Sequence, residues 1–227
     1  MSQICEKLHR LFNALPRHRF SFDEHQIPHN GIYFLFEEGE CAHGLDRIVR
    51  VGTHNGVNQL CSRLKQHFLQ ENKDRSIFRK NVGRALLNKS NDPSLEQWDW
   101  DLTSRKAKEQ LMSLLDVEKQ RATERAVSEY IQKHFSFVVF RVDDKGQRLH
   151  LEKRLISSIS LCEECKPSTN WLGLHSPIEK IRKSGLWLVN ELYGQELSPD
   201  DLEMLGKLLT GYQWVAADAA PLRSECG

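Results

Sequence analysis

The 227 residues, of which 39% are hydrophobic and 28% charged, are enough for one sizeable α/β core with insertions. Residues 1–19 mix charges with histidines, and the chain has no long apolar run. This pattern argues against a signal peptide and a membrane span. Six cysteines without a secretory signal predict reduced thiols, which favours a cytoplasmic location.

The formal net charge of +1 hides an uneven distribution of charge. Residues 61–90 carry eight Lys or Arg against two acids, a local charge of +6, which leaves −5 for the rest of the chain. A basic segment on a nearly neutral protein predicts a polyanion bound on one face. A solvated helix surface is the alternative interpretation of the same residues.

The N-terminal region is predicted to hold a helix and then a β-hairpin. Apolar residues at helical spacing predict a helix from about residue 4 to residue 15, followed by a polar loop. Asn30-Gly31 then opens a strand at residues 32–36, rich in aromatic and β-branched side chains, with a turn expected at Glu37 to Glu40. A second strand at residues 47–52 would complete an antiparallel hairpin.

The middle and C-terminal regions are predicted to be mainly helical. Apolar spacing predicts a helix at 56–69, on which Arg63 and His67 are neighbours one turn apart. The further predicted elements are a basic helix at 76–88, a loop at 91–102, a charged helix at 104–133, a third strand at 134–142, and helices at 147–161 and 202–209.

Glu152 is an acidic residue at a position where the helical pattern predicts an apolar side chain. In the 147–161 helix it falls among Leu149, Ile156 and Ile159, on the apolar face. A carboxylate on a buried face is costly, so it is normally paired, protonated or bound to a metal ion. The residues alone leave open whether Glu152 pairs with a basic side chain of the core or binds a metal.

A series of short motifs follows the predicted elements in order. Its members are Gly31-Ile32-Tyr33 at the start of the first strand, Arg50-Val51-Gly52 at the end of the second, then Arg63, His67, Glu152 and Asn170. This series resembles the GIY-YIG nuclease superfamily over residues 31–170. The main departure is Arg50, where the family usually has tyrosine, and a guanidinium cannot act as a base.

The resemblance implies an α/β (α+β) fold with a three-stranded antiparallel sheet flanked by helices. The expected division is an N-terminal helical arm at 1–28, a nuclease-like domain at 29–175 with a helical insertion near 90–133, and a C-terminal helical extension at 176–227. The extension suits core packing or a homodimer contact. The implied activity is metal-dependent endonucleolytic hydrolysis of DNA, which leaves 5′-phosphate and 3′-hydroxyl ends and uses Mg²⁺ or Mn²⁺.

The resemblance also suggests a role for each motif residue. Glu152 would hold the metal ion, because Mg²⁺ and Mn²⁺ prefer hard oxygen ligands. Arg63 would clamp the phosphate as charge grows in the transition state, and Tyr33 and His67 would orient or deprotonate the attacking water. Asn170 would bind phosphate or orient Glu152. The expected contacts with the DNA backbone are Arg50, Arg79, Lys80 and Arg84.

Each of these roles has a simpler alternative. Arg63 would otherwise be a surface arginine, His67 a packed histidine, and Asn170 a loop residue that satisfies its own turn. At the level of the whole chain, one alternative is a catalytically impaired nucleic-acid-binding module derived from a nuclease. The other is an unrelated protein with chance matches, in which Glu152 and Arg63 would lie far apart.

Cys162 and Cys165 form a CxxC pair that raises the question of a zinc ion. A structural zinc site needs two further ligands. His175 and Cys41 are conceivable partners, but the spacing selects neither of them. Two ordinary thiols in a loop at the end of a helix are the alternative.

Overall fold

The protein is described by a computed structural model over residues 3–210, in which a four-stranded antiparallel sheet has helices on both faces. The strands are β1 (His18–Arg19), β2 (Gly31–Ala42), β3 (Leu45–Gly52) and β4 (Phe135–Arg141), in the sheet order β1-β4-β2-β3. The predicted α/β class and three-stranded antiparallel core are confirmed. The short strand β1 adds an edge beside β4 that the sequence analysis did not predict.

The helices follow the predicted order with shifted boundaries. They are α1 (Gln3–Asn13), α2 (Leu60–Phe68), α3 (Ile77–Lys89), α4 (Leu95–Asp99), α5 (Arg105–Leu111), α6 (Val117–His134), α7 (Lys145–Ser160), α8 (Glu179–Ser184) and α9 (Pro199–Leu209). Helix α2 begins four residues later than expected, and Val57 is 78% exposed outside it. The predicted loop contains α4, and the predicted helix at 104–133 is divided into α5 and α6.

The β2–β3 hairpin turns later than the sequence predicted. Glu37 and Glu40 continue strand β2, and the turn lies at His43-Gly44, both with positive φ. The two carboxylates stay in the strand because buried partners satisfy them. The indole N–H groups of Trp171 and Trp187 donate to Glu37, and Arg47 pairs with Glu40.

Both faces of the sheet are buried, and successive residues of β2 alternate between two cores. Ile32 and Phe34 face a core shared with α1, α7 and α9. Tyr33 and Leu35 face the other core, which α2, α3 and α6 complete. The apolar face of α9 is therefore packed in the core, while the division into arm, domain and extension stays a prediction. Within residues 3–210 no helix is long and apolar enough to span a bilayer.

The sheet register brings the two signature segments together at one end of the hairpin. Tyr33 on β2 pairs with Gly52 on β3, and a Cβ atom at Gly52 would lie 2.3 Å from the Tyr33 hydroxyl oxygen. A glycine is therefore required where the tyrosine crosses the neighbouring strand. Strand β3 is an edge strand, so within residues 3–210 its outer side pairs with no further strand.

Candidate active site

Tyr33 is the first residue of a hydrogen-bonded chain that runs from β2 to α3. Its hydroxyl oxygen lies 2.8 Å from Nε2 of His67, and Nδ1 of His67 lies 2.7 Å from the Ser76 hydroxyl. Ser76 caps α3 by accepting the N–H of Arg79. Because both ring nitrogens of His67 have partners, the imidazole has a fixed orientation and in turn fixes the Tyr33 hydroxyl.

His67 is neutral at physiological pH. Burial lowers its pKa well below the ordinary value of 6.5, and the charges of Arg63, Arg50 and Arg79 lower it further. The ring is wholly buried, so it contacts Tyr33 and not bulk water. The resemblance allowed a catalytic or a packed histidine at this position, and the geometry gives His67 a positioning contact with Tyr33.

Arg50 occupies the place beside Tyr33 where the family usually has a second tyrosine. Its Nε lies 3.4 Å from the Tyr33 hydroxyl, and its Nη1 donates to the carbonyl of Trp187. It forms no salt bridge within 4.0 Å in the part of the chain that the structure describes, although it is 95% buried. A buried guanidinium without a paired carboxylate has N–H groups available for an anion such as phosphate.

Glu152 reaches the same end of the hairpin from α7. Its Oε1 accepts the N–H of Thr53 at 2.9 Å, and the Thr53 hydroxyl donates to the carbonyl of Gly31 at 2.7 Å. Thr53 thus connects the carboxylate with both signature segments. Burial raises the pKa of Glu152, and the charges of Arg50 and Arg63 and the Thr53 N–H oppose this effect.

Arg63 faces the site from α2, one turn before His67. Its Nη1 donates to the Gln66 side chain at 2.9 Å and to the carbonyl of Arg75 at 3.0 Å, which holds the guanidinium against the loop before α3. Its charge acts on both His67 and Glu152. That Arg63 and Glu152 act in one site stays a prediction.

Asn170 is not joined to this group by any hydrogen bond within residues 3–210. It is exposed in the turn before Trp171, which packs beside the buried Glu37 farther along β2. Its predicted role stays a prediction. A second asparagine, Asn190, was not considered in the sequence analysis, and it lies between Trp187, whose carbonyl binds Arg50, and Glu191, whose charge acts on Glu152.

The basic segment of the sequence is largely folded inward. Arg79 is fully buried, and its guanidinium donates to the carboxylate of Glu124, so the predicted contact of Arg79 with DNA is wrong. Lys80 is 8% exposed and donates to the carbonyl of Asp99, while Arg84 pairs with the Asp99 carboxylate. Their predicted contacts with DNA stay predictions.

Replacing Glu152 with glutamine is expected to stabilise the magnesium-free protein at pH 8 by about 1 kcal/mol, or roughly 2–4 °C in Tm. Because the pKa of Glu152 is raised, the folded protein keeps a proton that the unfolded chain loses above the ordinary value of 4.5. The free energy of unfolding of the wild type therefore falls as pH rises through 4.5 towards the raised pKa. Glutamine does not titrate and avoids this loss.

Thermal unfolding at pH 8 and pH 4.5 in buffer without Mg²⁺ measures the effect. The gain from Glu152→Gln should be largest at pH 8 and shrink at pH 4.5. Glu163→Gln, at an exposed acid, is the matched control and should leave Tm nearly unchanged. A Glu152→Gln protein less stable than the wild type at pH 8 would contradict the raised pKa.

A family model described as a GIY-YIG domain matches residues 3–214. The comparisons with curated proteins and with solved structures gave no significant match. The resemblance in the sequence covered residues 31–170. The family match extends beyond this segment on both sides and includes α1 and α9.

Proposed function

The chain belongs to the GIY-YIG domain family, and on this premise we propose that it is a metal-dependent endonuclease that hydrolyses DNA phosphodiester bonds. The observation that carries the proposal is the convergence of five polar side chains from β2, β3, α2 and α7 at one end of the hairpin. They are Tyr33, Arg50, Arg63, His67 and Glu152. Because the family model matches residues 3–214, the chain is not an unrelated protein with chance matches to the motifs.

Glu152 has the chemistry of a ligand for Mg²⁺ or Mn²⁺. One of its oxygens is oriented by the Thr53 N–H, and Oε2 makes no hydrogen bond within residues 3–210. A hard carboxylate oxygen of this kind fits either ion, which binds through one or two carboxylates and completes its shell with water and phosphate. When bound, such an ion supplies Lewis-acid stabilisation of charge on the phosphate and the departing oxygen.

The cationic side chains are assigned to the phosphate. Arg63 gives N–H donors to the oxygens where negative charge increases in the transition state. Arg50 lies on the other side of Tyr33, and its available N–H groups would hold a phosphate oxygen or favour negative charge on the tyrosine oxygen. Arg50 is buried and therefore already desolvated, which strengthens its effect on a bound phosphate.

Tyr33 is assigned to the attacking water, which its hydroxyl would orient in line with the departing 3′ oxygen. His67 is a positioning residue, because it contacts Tyr33 and lies too deep to reach the substrate. Asn190 and Asn170 are the two candidates for an amide that binds phosphate, and Asn190 is favoured by its neighbours Trp187 and Glu191. The products would carry 5′-phosphate and 3′-hydroxyl ends.

A catalytically impaired nucleic-acid-binding module is the second candidate function. The observation that favours it is Arg50, which cannot accept a proton from water and lies beside the one tyrosine of the site. Under this alternative the site would still bind a phosphate. We further propose that the protein acts in the cytoplasm, while the homodimer suggested by the sequence stays a prediction.

The test of the proposed function is cleavage of plasmid, linear duplex, branched and single-stranded DNA with Mg²⁺, with Mn²⁺, or with neither ion. Cutting that depends on the added ion supports the nuclease, and the substrate preferred in the panel gives the substrate class. Binding to the panel without cutting in either ion would overturn the nuclease and select the impaired module.

Arg63→Lys is expected to lower the cleavage rate by about 100- to 1,000-fold, nearly as much as Arg63→Ala. Lysine keeps the positive charge but lacks the planar guanidinium of arginine, which offers several N–H donors in fixed directions. Arg63 can therefore donate to the Arg75 carbonyl and to a phosphate at the same time, and lysine cannot. Arg75→Lys is the matched control, since Arg63 contacts only the main chain of Arg75 and the Arg75 side chain is exposed. Single-turnover rates on the preferred substrate measure the difference. Full activity in Arg63→Lys would remove Arg63 from the phosphate site.

A further inference from the structure

A second group of ligand-type side chains lies apart from the candidate active site. It joins α1, the turn of the β2–β3 hairpin and the loop that follows α7. One ligand atom from each of Cys5, His9, His43 and Cys165 lies within 4.8 Å of the others. Cys162 adjoins the group, with its Sγ 3.6 Å from Nε2 of His43. Sequence spacing alone had directed attention to His175 and Cys41, and neither belongs to this group.

The distances within the group match those of a small tetrahedral site. In tetrahedral zinc sites with Zn–S near 2.3 Å and Zn–N near 2.0–2.1 Å, neighbouring ligand atoms lie about 3.5–3.8 Å apart. Sγ of Cys165 lies 3.3 Å from Sγ of Cys5 and 3.3 Å from Nε2 of His43. Both distances are within a few tenths of an ångström of those around a bound zinc ion.

His43 is oriented as a metal ligand. Its side chain is 4% exposed, and its Nδ1 lies 3.4 Å from the Glu164 carboxylate. A proton on Nδ1 then leaves the Nε2 lone pair directed at Cys162 and Cys165. A carboxylate that holds the second nitrogen of a ligating histidine is the usual outer shell of zinc sites.

Cys162 is favoured over His9 as the fourth ligand. Both ring nitrogens of His9 already bind the main chain, Nδ1 at 2.9 Å from the Cys5 carbonyl and Nε2 at 3.1 Å from the Ile48 N–H. Cys162 instead has its Sγ 3.6 Å from Nε2 of His43 and accepts a hydrogen bond from the Glu164 N–H. Its thiol also contacts those of Cys5 and Cys165.

We propose that Cys5, His43, Cys162 and Cys165 bind one structural zinc ion. Binding replaces the proton of each thiol by a Zn–S bond, so three protons pass to the solvent as the divalent cation enters. The donor set of three thiolates and one imidazole has no position left for a substrate, which is the arrangement of a structural site and not of a catalytic one. The ion would link α1 and the turn of the β2–β3 hairpin to the loop after α7, the helix that carries Glu152.

The experiment measures zinc in the purified full chain by elemental analysis and then replaces zinc with Co²⁺. We expect one zinc per chain and, with cobalt, near-ultraviolet bands from charge transfer between thiolate and metal. Cys165→Ser should lose the zinc and the bands. Cys61→Ser, at a cysteine outside the group, is the matched control and should keep both. A chelator should lower the Tm of the wild type and leave that of Cys165→Ser unchanged.

Three further variants test the choice of ligands and the residue that orients His43. Cys162→Ser should weaken the charge-transfer bands and the affinity for zinc, whereas His9→Gln should keep the metal content. Glu164→Gln should lower the zinc affinity about 10- to 100-fold without changing the cobalt spectrum. The opposite result for Cys162 and His9 would overturn the proposed ligand set. A wild type that holds no zinc, takes up no cobalt or joins Cys5 to Cys165 as a disulfide would overturn the site.

Discussion

Replacing Glu152 with glutamine is expected to reduce the rate of DNA cleavage by at least about 1,000-fold, which corresponds to roughly 4 kcal/mol of lost transition-state stabilisation. Glutamine keeps the size and the contact with the Thr53 N–H but removes the charge that would hold Mg²⁺ or Mn²⁺. Affinity for DNA should persist, because loss of a negative charge does not weaken attraction to the phosphate backbone. Single-turnover cleavage and equilibrium binding on the same labelled substrate separate the two effects.

Glu163→Gln is the control for the Glu152 experiment. It removes the same charge from an exposed position beyond the end of α7 and should leave the cleavage rate within about twofold of the wild type. Raising the concentration of Mn²⁺ should not rescue Glu152→Gln. A variant that cuts at more than about a tenth of the wild-type rate would show that another group binds the metal ion.

Replacing Arg79 with methionine is expected to cost about 3–5 kcal/mol of stability. The Arg79 guanidinium donates to the Glu124 carboxylate, to the Ser128 hydroxyl and to the carbonyl of His67, and neither Arg79 nor Glu124 has more than 4% of its side chain exposed. Methionine fills similar space but leaves Glu124 buried without its cation. The pair connects α3 with α6, so this loss should be seen in global unfolding.

Urea unfolding of three variants measures the Arg79 effect. The double variant Arg79→Met with Glu124→Met should recover most of the loss, because it removes both buried charges and leaves an apolar contact. Arg84→Met is the control, since it removes an arginine of the same helix whose partner, Asp99, has 45% of its side chain exposed, and it should cost less than about 1 kcal/mol. A loss in Arg79→Met no greater than in Arg84→Met would contradict the assigned role of the buried pair.

The parts of the fold that follow from local pattern were predictable from the sequence. The aromatic and β-branched residues of β2 and the helical spacing around Glu152 are strong short-range signals, so these elements were expected close to where they lie. The order of the signature residues then predicted which end of the hairpin carries chemistry. The turn at Glu37 to Glu40 was predicted wrongly, because acidic residues mark turns unless distant partners bury them. Here those partners are Trp171 and Trp187.

The parts that sequence reasoning missed depend on pairings between distant residues. Arg79 looked like a surface cation because Glu124, 45 residues later, cannot be assigned to it from the sequence. The same limit applies to Cys5 and Cys165, which lie 160 residues apart, and to His43, whose place in the hairpin turn is fixed only by the sheet. Asn190 was overlooked because its nearness in the chain to Trp187 matters only once the contact of Trp187 with Arg50 is known.

The position of α1 has a consequence for how the protein is made. Its apolar face packs in the core shared with α7 and α9, elements that follow it by more than 130 residues. At translation rates of about 5–20 residues per second, roughly 10–40 s pass between the synthesis of α1 and that of α9. The apolar face of α1 therefore lacks part of its native core until α9 has left the exit tunnel.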